Sequence, residues 1–88
     1  MSAATTNDPT AIALRALAAT LGDQRLADRF LSFSGIEPPD LRHRASDPHV
    51  LVALLRFLEA HEPDLLAIAE QLGVKPADLV AARRELEE

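Results

Sequence analysis

Three histidines are the side chains best suited to move protons or hold a metal near neutral pH, and they stand at His43, His49 and His61. Their intervals, six and twelve residues, give neither the one-turn spacing of a helical metal pair nor the ligand spacing of a finger. His43 and Asp47 are one turn apart in number, but Asp47-Pro48 reads as the cap and first residue of a new helix, which separates them. Ser32, Ser34 and Ser46 lack a motif that would activate a hydroxyl, and there is no cysteine to supply a thiolate. Glu59 and Glu62 sit together, yet acids at a helix end are ordinarily solvated. Gly22, Gly35 and Gly73 are too far apart to form a phosphate-cradling loop. The chain therefore reads as a non-enzyme, with no catalytic residue, cofactor or metal.

Binding chemistry is the better expectation. Arg42, Arg44, His49 and Arg56 form a basic middle that could receive an acidic protein surface. The plainer alternative is that these arginines lie at a rim with their stems over leucines, and that Arg44 pairs with Asp47. A second candidate is the corner Ile68-Ala69-Glu70-Gln71-Leu72-Gly73-Val74, followed by Leu79 and Ala82. Its small alanine, turn glycine and spaced apolar residues resemble the helix-turn-helix of bacterial DNA-binding proteins, within segment 65–86. That resemblance implies phosphate contacts from Lys75, Arg83 and Arg84. Charge opposes it: residues 57–88 carry three bases against eight acids, the whole of the net charge of −5, whereas residues 1–56 balance six against six. A protein partner or self-association is thus favoured over nucleic acid.

These side chains need elements to hold them, and the pattern is helical throughout. Asp8-Pro9 opens a first helix to about Thr20, and Gly22 stops it. Asp23 caps a second, Gln24 to about Ser34, with Leu26, Phe30 and Phe33 on or near one apolar face. Pro38 or Pro39 begins a short third helix through about Ala45. The fourth, Pro48–Ala60, is apolar around most of its circumference and is expected at the centre, with Leu54 and Leu58 in the core. Pro63 opens a fifth helix with Leu65, Leu66, Ile68, Ala69 and Leu72 inside, and Pro76 opens a sixth. The expected fold is all-α: a compact bundle of five or six short helices around helix 48–60. Residues 1–7 are expected to be a disordered terminus, and 8–88 a single domain.

Two corners share one construction. Gly35-Ile36-Glu37-Pro38-Pro39-Asp40-Leu41 matches Gly73-Val74-Lys75-Pro76-Ala77-Asp78-Leu79 at an offset of 38. In each, glycine suits a left-handed helix end, an apolar residue folds back, and proline starts the next helix. The match fits either a duplication or a generally good recipe for a helical corner. Alanine and leucine make up 31 of the 88 residues, which suits close helix packing but leaves no room for a deep cavity. The longest apolar run, Val50–Leu55, is six residues, far short of the roughly 20 a membrane span needs. Met1–Thr10 lacks the pattern of a secretory signal. A cytoplasmic location is expected.

The stretch Asp40-Leu41-Arg42-His43-Arg44-Ala45-Ser46-Asp47-Pro48-His49-Val50-Leu51, with Val52–Leu58 after it, resembles a small alphaproteobacterial family of about 90 residues and unknown function. The resemblance spans roughly 10–86 and includes Gly35, Arg42 and Asp47-Pro48. Where that family has an acid before the Phe-Leu of the central helix, this chain has Arg56, so a shared polar role is in doubt there. The resemblance implies an all-helical bacterial domain and brings no activity, cofactor or catalytic residue.

Overall fold

The Asp-Pro signals begin helices where the sequence places them. The Asp8 carboxylate accepts from the Thr10 N–H at 3.3 Å, and the Asp47 carboxylate accepts from the His49 N–H at 2.9 Å. Each satisfies a donor that the first helical turn leaves unpaired. The structure is a computed structural model that describes residues 8–88. Its elements are α1 (Pro9–Leu21), α2 (Gln24–Ser34), α3 (Pro38–His43), α4 (Pro48–Glu59), α5 (Glu62–Leu72) and α6 (Pro76–Glu87). No strand occurs among the described residues. The expectation for residues 1–7 lies outside them.

The all-α expectation is correct, and so is the central helix. α4 buries Val50, Leu51, Leu54, Leu55, Phe57 and Leu58, with Leu54 and Leu58 at 0% exposure. Helices α1, α2, α5 and α6 all pack on it. α1 lies beside α4 and contributes Ile12, Ala13, Ala16 and Leu17, its alanines permitting a close approach. Phe30, Leu41, Ile68, Ala69, Leu79 and Ala82 complete a single core cluster. The radius of gyration is 12.1 Å, against about 12 Å for a globular chain of this length.

Three details differ from the sequence expectation. α3 ends at His43, not near Ala45, because Arg44–Ser46 turn tightly towards the Asp47 cap. α5 begins at Glu62, one residue before its proline. Gly22 ends α1 as expected, with an ordinary right-handed φ of −75°, and Gly35 (74°) and Gly73 (73°) take the left-handed conformation read for the two corners. Leu66, expected inside, is 47% exposed, and Phe33, read on or near the face of Leu26 and Phe30, is 54% exposed. Phe33 lies in the last turn of α2, and Leu66 lies two residues before the buried pair Ile68–Ala69 on the outer side of α5.

Candidate functional site

The residues of the basic middle are all exposed, and three of them stand against acids. Arg44 and His49 converge on a single acid: Arg44 Nη2 lies 3.3 Å from Asp47 Oδ2, and His49 Nδ1 lies 3.2 Å from Oδ1. Asp47 is held below the usual carboxylate range, first by the His49 N–H it accepts and then by the His49 ring and Arg44, against a smaller opposing effect of burial. Asp47 thus neutralises the turn it caps, and the plainer reading of Arg44 is the right one. Arg56, two turns after His49 on α4, pairs with Glu87 of α6, which lines a depression together with His49. Arg42 and His43 stand exposed in the last turn of α3. His43 does not reach Asp47; His49 takes that partner instead.

The helix-turn-helix-like segment folds as two helices around Gly73, but its bases are unequal. Arg83 is the best held cation of the chain, with Nε 2.6 Å from Glu59 and Nη1 2.8 Å from Glu87, and its side chain is only 15% exposed. The Glu59 bond raises its pKa further, against the opposing pull of burial. Glu87 in turn is held below its usual range, first by Arg56 and then by Arg83. The network Arg56–Glu87–Arg83–Glu59 therefore fastens α6 to α4. It consumes Arg83 structurally, while Lys75 and Arg84 remain exposed. The Lys75 N–H donates to Asp78 at 3.0 Å, which closes the first turn of α6.

Two features were not read from the sequence. The first is Asp64, whose Oδ2 lies 2.8 Å from Arg29 Nη2 and 2.9 Å from His61 Nδ1. That oxygen is buried and faces both the Arg29 guanidinium and the His61 ring. Burial pushes the Asp64 carboxyl up, but Arg29 and His61 together bring it below its usual value. The second is an aromatic cluster at the end of α2. The Phe57 ring meets Phe30 and Phe33, each at 5.5 Å between centroids, and the Arg29 guanidinium stands 5.5 Å from the Phe57 centroid. Phe30 and Phe57 are buried, whereas Phe33 stands edge-on to Phe57 with most of its ring in solvent. Asp28, Arg29, Ser32, Phe33 and Phe57 line an open depression there. No local spacing in the sequence marks Phe33 as exposed, because its distance from Phe30 suits the same apolar face.

No cluster of three potential metal-ligating side chains occurs among the described residues. No helix there is long and apolar enough to cross a membrane. A family model for proteins of unknown function, DUF3572, matches residues 6–88. The chain belongs to the DUF3572 family. No curated protein and no solved structure matches it. Membership fixes the extent of the conserved unit at nearly the whole chain, and the family description carries no activity, ligand or partner.

Proposed function

We propose that this DUF3572 chain is a non-enzymatic protein-interaction or structural module of the bacterial cytoplasm, acting through the aromatic end of α2. The observation that carries the reading is Phe33, which is 54% exposed and braced edge-on against a buried ring. A phenyl ring loses favourable burial by standing in water, and aromatic side chains with a neighbouring arginine are the common anchors of protein interfaces. Arg29 supplies that neighbour, while Asp28 and Ser32 give the depression a polar rim. Arg42, Arg44, His49 and Arg56 of the sequence-read patch are all exposed, and Arg44, His49 and Arg56 each face an acid. The test is capture from the native host with full-length protein and its Phe33→Asp variant. The variant is expected to melt as the parent does and to lose the captured protein. Identical captured proteins from both chains would overturn the reading.

DNA binding through segment 65–86 is a second reading, supported by exposed Lys75 and Arg84 beside the Gly73 corner. It calls for salt-dependent binding of duplex DNA that falls on Lys75→Glu and Arg84→Glu. Absence of any shift with excess duplex at low salt would reject it.

A further inference from the structure

The offset of 38 seen at the two glycine corners runs through the whole described chain. Shifted by it, α2 (Gln24–Ser34) falls on α5 (Glu62–Leu72) with both ends coincident, and Pro38 at the start of α3 falls on Pro76 at the start of α6. α1 falls on α4 with a one-residue difference at the first residue. Burial repeats too: Ile12 with Val50, Ala13 with Leu51, Ala16 with Leu54, Leu17 with Leu55, Thr20 with Leu58, Phe30 with Ile68, and Leu41 with Leu79 are all buried pairs. Thr20 is polar where Leu58 is apolar, and it occupies a buried site by donating its hydroxyl to the Ala16 carbonyl at 2.8 Å. Helix ends repeat their hydrogen bonds as well. The Gly22 N–H donates to Ala18 O and that of Asp23 to Thr20 O; the Ala60 N–H donates to Arg56 O and that of His61 to Leu58 O.

We infer that the chain is two copies of one three-helix unit, residues 8–44 and 46–88, closed on each other about an approximate two-fold axis. For the first two helices of each unit the packing has the reciprocity such an axis demands: α1 packs on α2 as α4 packs on α5, α1 packs on α5 as α4 packs on α2, and α1 and α4 pack on each other; the third helices depart from it, because α6 packs on both α1 and α4 whereas α3 packs closely on neither. A shared preference for helical corners explains repeated glycines and prolines. It does not explain why burial keeps step across three helices, because the buried face depends on what each helix packs against. The units have diverged in two places. The third helix stops at His43 in the first unit and runs to Glu87 in the second, where its added turns bring Arg83 and Glu87 to α4. On the outer face of the second helix, Arg29 and Phe33 stand where the other unit has Ala67 and Gln71. The exposed aromatic is thus a departure from the repeat, not a requirement of it.

The test uses the connection between units. If the axis is real, the path from the second unit back to the first is as short as the native path Arg44-Ala45-Ser46-Asp47. A reordered chain keeps every described residue: 47–82, then Ala-Ser, then 8–44, then 83–88. The reordering takes Arg83 and Glu87 away from α4, so the reordered chain is expected to be helical by circular dichroism and to melt cooperatively within about 10 °C of a native-order chain carrying Arg83→Ala and Glu87→Ala. A control carries a long glycine–serine joint in place of Ala-Ser. Cooperative melting of the control alone would overturn the inference, because the short path would then not exist. A second measurement does not depend on folding. Across DUF3572 sequences, the two halves aligned at this offset should be apolar together at the buried pairs and hold glycine at both corners; halves that match no better than shuffled sequence would overturn the inference.

Discussion

At the residue scale, Asp64 shows how a modest surface-seeking acid becomes a structural part. Arg29 of α2 and His61 at the start of α5 both face it, so one carboxylate ties two helices that otherwise meet little. Its carboxyl lies below the ordinary value of 3.8. A group with a depressed folded pKa stabilises the fold above its unfolded value and loses that contribution as pH falls through the folded one. Stability should therefore fall as the solution is taken from about pH 6 to below pH 3.8, and the fall should be smaller in Asp64→Asn. Urea unfolding at several pH values measures this; parallel curves for the two chains would contradict it. Phe33 makes the complementary point. Its spacing from Phe30 suits an apolar face, but the end of the helix puts it beyond the core. No pattern of residue types separates those two situations without knowing where the neighbouring helices stop.

At the element scale, the three glycines carry different burdens although the sequence treats them alike as stops. Gly73 has φ at +73° with open space where a Cβ would stand, so Gly73→Ala meets backbone strain and no clash. It is expected to cost about 1–2 kcal/mol. Gly22 has an ordinary right-handed backbone, and its added Cβ would sit 3.5 Å from the Ala18 and Ala19 carbonyls, an ordinary contact. Gly22→Ala is expected to be neutral or to stabilise by up to about 1 kcal/mol through the unfolded chain. Thermal melts of the two variants should move in different directions or by clearly different amounts. The caps behave as the sequence implies. Asp47→Ala removes the acceptor of the His49 N–H and the partner of Arg44, and is expected to lower the melting temperature by fraying the first turn of α4.

At the scale of the whole molecule, stability rests on α4. Leu54→Ala empties a site with 0% exposure at the meeting point of the bundle, and is expected to cost about 2–5 kcal/mol. A domain of this size has a total stability of about 5–15 kcal/mol, so the urea midpoint should fall sharply. An unchanged midpoint would show that α4 is not the organising element. Such a molecule has little interior to spare, which is why its candidate site is a surface depression and not a cavity.

The sequence by itself determined the helices, their caps and the identity of the central one. Those follow from interactions within a few residues: an aspartate before a proline, a glycine after an apolar turn, and a periodicity that decides which residues share a face. It also showed the first trace of the repeat at the two corners. Only the tertiary structure decided the fate of the charges. Arg56 and Arg83 are separated in sequence from Glu87 and Glu59 by different distances and meet them only because α6 lies along α4. It likewise decided that Phe33 is outside, and that seven buried positions recur at the offset of the two corners. Pairing and burial depend on which surfaces close over one another, and that is a property of the packed chain, invisible to any local spacing.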